Sequence, residues 1–183
     1  MLKLIEANKK YLKEYKEAYL KEQELIEKRI IKKHNQMFLN PDEKDIIKYF
    51  NDSKEVNKLP KGYVPSYDYF FVEDDKLIGI IHIRITLTDK LLKYGGHIGY
   101  GINPYYFRKG YGTKLLKLGL EKAEYLIKEN KILITCDDDN IGSYKIIEKN
   151  GGILENKIIN KIDNETIVTR RYWVNKKEEV THE

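Results

Sequence analysis

The chain has 183 residues, 41% hydrophobic and 34% charged, and its 34 basic and 29 acidic residues leave a net charge of only +5. That length suits one domain burying about two-thirds of its unfolded surface, and charges so evenly mixed offer no basic stripe for a nucleic acid. A single cysteine, Cys136, excludes an internal disulfide and a cysteine cluster for zinc or iron–sulfur.

No apolar run approaches the ~20 residues of a membrane span, and the segment from Met1 to Glu6 lacks a signal-peptide core. The chain is therefore expected in the cytoplasm, without membrane or nucleic-acid partners and without a metal. No internal repeat or low-complexity block interrupts it. One domain over residues 1–175 is expected, followed by a charged tail at 176–183.

Residues 2–6 read as a first strand. From Asn8 to His34, Leu12, Tyr15, Tyr19, Ile26 and Ile30 keep helical spacing among lysines and glutamates. Pro41, with Asp42 and Glu43 behind it, predicts a second helix through Phe50, proline at its start and acids in its first turn. Pro60, Gly62 and Pro65 mark residues 51–67 as a loop. Strands follow at 68–73 and 77–86, joined around Asp74-Asp75. The second alternates Ile81, Ile83 and Ile85 with His82 and Arg84, the pattern of a half-polar strand. Gly96–Ile102 is a fourth strand, rich enough in glycine to be bulged or closely approached.

A helix from Gly110 to Lys128 places Gly112, Leu115, Leu116, Gly119, Ala123 and Leu126 on one face, so it packs on a sheet. Lys131–Cys136 is a short apolar strand. Asn140 caps a helix ending at Lys149, with Asn150-Gly151 as its stop. Residues 152–159 and 166–174 form a closing pair around Asp163-Asn164. The elements alone imply a mixed α and β fold with a mixed sheet.

The chemistry concentrates between Ile102 and Thr113. Strand, proline and basic loop lead into a helix that opens on Gly110-Tyr111-Gly112. Glycines admit close approach of the backbone, and the first helical turn leaves N–H groups free at the positive end of its dipole. Arg108 and Lys109 add full charges at the mouth. A pyrophosphate suits such a cradle, with hydrogen bonds to charged groups contributing roughly 1.5–3 kcal/mol each. A P-loop is excluded by the order Gly112-Thr113-Lys114, and a dinucleotide fingerprint by Leu115 at its third glycine position. Glycines serving only tight packing are the alternative.

From Gly95 to Gly152 the chain resembles the GNAT N-acetyltransferase superfamily, in particular a bacterial branch of it. The superfamily's central motif is Gln/Arg-x-x-Gly-x-Gly/Ala opening a helix after the fourth strand. Gly110 and Gly112 match its two small positions. Phe107 stands where Gln or Arg is usual, and Arg108 sits one place later. Asn140 and Glu148-Lys149-Asn150-Gly151 match a second motif after the fifth strand.

The resemblance implies an α/β (α+β) fold: a mixed, mostly antiparallel sheet flanked by helices and splayed between strands 4 and 5. It also implies acetyl-CoA as cosubstrate, with an acetyl group passing to a primary amine by direct attack in a ternary complex. Gly101 and Ile102 would hold pantetheine through backbone groups. Arg108, Lys109, Gly110, Tyr111, Gly112 and Thr113 would hold the pyrophosphate, and Asn140 and Ser143 would touch the arm from the other side.

Acid and base are less plain. The tyrosine that the family often carries seven residues after the asparagine is here Ile147, and Tyr144 lies nearly one turn earlier. His97, in step with Gly99 and Gly101, is the candidate base, or else a structural histidine. Asp137, Asp138 and Asp139 read as a solvated acidic turn, one of which orients an amine in the sharper reading. Tyr63, Tyr67, Tyr69, Arg84, Glu155 and Trp173 are candidate liners of the acceptor pocket by position.

Cys136, inside an apolar strand, argues against an acyl-cysteine intermediate. A small-molecule or peptide amine acceptor and a monomer or homodimer are expected. The missing tyrosine keeps a non-catalytic acyl-CoA-binding or sensing module as the second reading. A nucleotide or nucleic-acid binder is the third.

Overall fold

The computed structural model describes residues 1–178. The elements run β1 (Leu2–Ile5), α1 (Leu12–Glu27), α2 (Ile46–Asp52), β2 (Ser66–Glu73), β3 (Lys76–Arg84), α3 (Asp89–Lys93) and β4 (Ile98–Ile102). They continue with α4 (Tyr111–Leu126), β5 (Lys131–Asp137), α5 (Ile141–Lys149), β6 (Ile153–Ile162) and β7 (Glu165–Asn175). Residues 176–178 of the charged tail carry no regular structure, and 179–183 lie outside the described residues.

Two antiparallel sheets result, β1-β2-β3-β4 and β5-β7-β6, flanked by helices. Turn chemistry fixes both hairpins. Asp163 and Asn164 take φ of 49° and 64°, so β6 and β7 are joined by the left-handed residues that a twisted two-residue turn requires. Asp74, at φ 53°, does the same between β2 and β3.

The first sheet has a core on each face. Phe71, Ile78, Ile81 and Ile83 pack with Leu115, Leu116 and Ala123 of α4, with Ile147 of α5 and with Ile132, Ile134 and Tyr172 of the second sheet. Phe70, Val72, Leu77 and Ile80 point the other way, onto Tyr11, Tyr15, Ala18, Phe38, Ile46 and Phe50. Each fully buried aliphatic or aromatic side chain stabilises by about 1.5–3 kcal/mol. The helical face anticipated for residues 110–128 is the buried one, with Gly112, Leu115, Leu116, Gly119 and Ala123 all covered.

The amino-terminal helices differ from expectation. Residues 28–40 hold no α-helix, only a 3-10 turn at Lys33–Asn35, and fold back over the first sheet after Arg29 breaks the helix with φ 58°. Pro41 lies in a turn: Asn40 Oδ1 accepts from the Asp42 amide at 3.0 Å. α2 starts only after Asp45, whose side chain accepts from Lys48 N–H. The short α3, which the strand pattern did not anticipate, is capped by Thr88 Oγ1 accepting from Leu91 N–H.

The returning segment is anchored by Glu22 of α1, only 4% exposed, whose Oε1 accepts from the Met37 and Phe38 amides at 3.0 and 2.9 Å. Burial pushes its carboxyl up to about 7, against the pull of those two amides. The native state then binds more protons than the unfolded one between the ordinary glutamate range and about 7. This contribution to stability is full below that ordinary range and is lost as pH rises through about 7. Glu22→Gln keeps an oxygen for both amides and cannot ionise. It is expected to gain stability over the parent from pH 5 to pH 8, by on the order of 2–3 kcal/mol in urea titrations.

Candidate active site

β4 and β5 lie side by side yet belong to different sheets. They are fastened at His97. Its amide donates to Leu133 O at 2.8 Å, and Leu133 N–H donates back to the ring Nδ1 at 2.9 Å. Gly95 N–H adds a bond to Thr135 Oγ1 at 3.0 Å. Beyond that point, among the described residues, no backbone bond joins Ile98–Ile102 to β5. The sheet is split there, as the splay between strands 4 and 5 requires.

His97 is thus a clasp of the split and not a base within it. It is 1% exposed, burial pushes its imidazole down to about 4, and Nε2 has no partner among the described residues. Spacing along the strand put it in step with Gly99 and Gly101. The side chain instead fills the place of a missing backbone acceptor for Leu133 N–H.

The lips of the split differ in character. On one face Tyr100 reaches toward α5, its hydroxyl 3.1 Å from Ser143 Oγ, and burial pushes that phenol well above its ordinary range. Cys136 lies on the same face, 8% exposed, its thiol pushed up to about 12 by burial. On the other face a Cβ built at Gly101 would stand 2.6 Å from Met37 Cγ, so that strand is glycine because Met37 covers it.

The loop expected to cradle an anion follows β4. Asn103, 3% exposed, donates to Leu77 O at 2.9 Å and accepts from Tyr105 N–H at 3.2 Å, which pins the exit of β4. Arg108 and Gly110 then take φ of 59° and 79°, turning the chain into α4. Gly110 is the N-cap, no side chain caps the helix, and a Cβ there would meet nothing within 4 Å. The first amides of α4 are therefore open to a ligand. Arg108 and Lys109 are exposed, and among the described residues neither is ion-paired. The donors, the open space and the two exposed cations, Lys109 lying 5.6 Å over the Tyr106 ring, fit a diphosphate.

The glycines divide their work. Gly112 serves packing, because a Cβ would stand 2.5 Å from Ile146 Cδ1 of α5. Thr113 offers its carbonyl to Asn150 Nδ2 at 3.2 Å, locking α4 to α5. Tyr111 spends its hydroxyl on Glu73 Oε2, donating at 2.7 Å, which leaves its amide for the expected cradle.

Asn140 caps α5, Oδ1 accepting from Ser143 N–H at 3.1 Å. Tyr144 is overlaid by Arg170, 3.8 Å from the ring centre, and Ile147 is fully buried in the core. A stacked Tyr144 has its ring occupied, and the hydroxyls joined across the split are those of Tyr100 and Ser143.

The acidic turn is not simply solvated. Asp138 pairs with Arg170 and Lys157 at 2.6 and 2.9 Å, and Asp139 with Lys32 at 2.7 Å. Asp137 is 2% exposed, and its Oδ2 takes bonds from His34 Nε2 at 2.7 Å and Asn35 Nδ2 at 3.0 Å. Sequence reading assigned no role to His34, Asn35 or Tyr100, and no local motif marks them.

The candidate acceptor liners do not converge. Glu155 and Trp173 bond each other on the second sheet at 2.8 Å. Tyr69 lies under Lys122 of α4, and Tyr63 is exposed. Arg84 is used locally, donating to Gly95 and Gly96 carbonyls at 3.3 and 3.1 Å.

Residues 10–153 match the model of the acetyltransferase (GNAT) domain family. The uncharacterized N-acetyltransferase YnaD of Bacillus subtilis (strain 168) is 28% identical over 119 residues, 58% of this chain and 70% of that one. A GNAT-family acetyltransferase from Bacillus anthracis superposes with a TM-score of 0.66 at 20% identity, covering 95% of this chain and 94% of that one. RimL, a ribosomal L7/L12 alpha-N-protein acetyltransferase solved with coenzyme A, superposes with a TM-score of 0.67 at 15% identity, over 95% and 93% of the two chains. With a family model spanning most of the chain, over an uncapped helix opening beside a split sheet, this protein belongs to the GNAT acetyltransferases and is an N-acetyltransferase.

Proposed function

We propose that residues 1–175 form a single domain that moves an acetyl group from acetyl-CoA to a primary amine by direct attack in a ternary complex. One observation carries this: the first amides of α4 are uncapped and open at Gly110, next to a gap between β4 and β5. Arg108, Lys109 and the amides of Gly110, Tyr111, Gly112 and Thr113 would hold the diphosphate. Gly101 and Ile102 would offer backbone groups to the pantetheine arm, with Asn140 and Ser143 across from them.

A thiol pushed up to about 12 is not a nucleophile at neutral pH, which supports direct attack over an acyl-cysteine. When bound, acetyl-CoA supplies the activated thioester. The chain supplies alignment, exclusion of water and, from Tyr100 and Ser143, hydroxyl donors beside the gap. The acceptor is a small-molecule or peptide amine, and the chain works in the cytoplasm as a monomer or homodimer without a metal.

Thermal shifts with coenzyme A, ATP and a short oligonucleotide test the reading, paired with thiol release across a panel of primary amines. Coenzyme A alone should stabilise, by about 2.7 kcal/mol at a hundredfold excess over its Kd. Gly110→Leu sets a side chain over the open amides and should abolish that gain. Its own cost is the strain of φ 79°, about 1–2 kcal/mol. Equal stabilisation by ATP would favour a nucleotide binder. The buried Ile147 at the usual tyrosine position favours a second reading, a non-catalytic acyl-CoA sensor. Tight coenzyme A binding with no thiol release for any amine would select it.

A further inference from the structure

The segment between α1 and α2 crosses both lips of the split on the face away from α4 and α5. Lys32 holds Asp139 at 2.7 Å and His34 holds Asp137 at 2.7 Å, both at the end of β5. Three residues later Met37 covers Gly101 on β4. His34 is therefore suspended across the gap that the acetyl group would occupy.

Its chemistry is set by its partner. An ionised carboxylate only accepts, so the proton between Asp137 Oδ2 and the imidazole sits on Nε2, and Nδ1 carries the lone pair. Among the described residues Nδ1 has no hydrogen-bond partner. Asp137 Oδ1 is buried and likewise unpartnered, so an anion stands ready to balance an imidazolium. A carboxylate fixing a tautomer and freeing the opposite nitrogen is the arrangement of a general base.

We propose that His34 is the base of this enzyme and that Asp137 is its positioning residue, an assignment resting on the acetyltransferase reading above. The C–N bond forms as the C–S bond breaks. The attacking nitrogen gives one proton to His34 Nδ1. The thiolate departs and is reprotonated from water, and the imidazolium then returns its proton to solvent. Groups facing the pair are Asn35 on the same segment, and Lys32, 3.9 Å from Asp137 Oδ2. Tyr94 completes the set from the connection before β4, its ring 6.5 Å from the imidazole and its hydroxyl 3.5 Å from the His34 carbonyl.

The test is the pH profile of thiol release by the full chain with the best amine of the panel, for parent, His34→Gln and Asp137→Asn. His34 belongs to neither apolar core, so His34→Gln keeps the fold and its stabilisation by coenzyme A. It is expected to lower kcat by about 10²-fold or more with KM for acetyl-CoA within threefold, and to erase the limb of the profile set by an imidazole. Asp137→Asn should lower kcat and displace that limb. Turnover by His34→Gln within threefold of the parent, with the same profile, overturns the role of His34 alone. A parent that binds coenzyme A but releases no thiol with any amine overturns the acetyltransferase reading, and the base with it.

Discussion

Gly96→Ala is expected to destabilise the protein by about 3 kcal/mol or more, measured by urea unfolding against the parent. Two effects add. Gly96 sits at φ 61°, where an L side chain is strained by about 1–2 kcal/mol. Its Cβ would also stand 2.5 Å from Leu133 O and 3.0 Å from Leu133 C, backbone atoms unable to swing aside. They are held by the 2.8 Å bond from His97 N–H, so relief of the clash pries at the clasp between β4 and β5. Gly62→Ala is the control: its φ is 88° but nothing lies within 4 Å, so it bears the strain without the clash. Equal losses in the two variants would contradict the close approach at the clasp.

Acid should reveal His97 next. Its imidazole is pushed down to about 4, so the unfolded chain takes up a proton below the ordinary histidine range while the native state does not. The stabilising contribution is full above that range and is lost as pH falls through about 4, on the order of 2–3 kcal/mol. Glu22 acts in the opposite sense, its contribution present at low pH and lost as pH rises through about 7. Over the shared window, from about pH 4.5 to 6.5, the two offset each other and the parent should be nearly level. Glu22→Gln unmasks the acid loss, and His97→Gln removes it. Urea midpoints at half-unit steps of pH read both, and a parent that falls as steeply as Glu22→Gln would contradict the pairing.

What was legible in the sequence was local. Gly110 and Gly112, six and eight residues beyond Pro104, announce an open helix start because the need for glycine is a property of the backbone there. Asn140 caps α5 for a similarly local reason. Asp163-Asn164 makes its turn with no help from afar. The start of α2 was misread because Pro41, Asp42 and Glu43 carry the signs of a first turn, whereas Asn40 draws the Asp42 amide into a tight turn. That helix begins only where Ile46 and Phe50 can reach the core.

The base was invisible for a different reason. His34 and Asp137 are 103 positions apart, and no pattern on either segment names the other. His97 misled because alternation tells which face a side chain takes and not what waits there. Here a neighbouring amide did.

The core beneath α1 and α2 draws no buried residue from beyond Ile80. Among the described residues, the hydrogen bonds that join the segment spanning the gap to the end of β5 run to Asp137 and Asp139. Water can take over such bonds once the segment lifts, whereas nothing replaces the contacts of a parted apolar seam. Lys32, His34 and Asn35 can leave the end of β5 while Phe38 keeps its place in the apolar core, so a way over the gap opens without parting either interior.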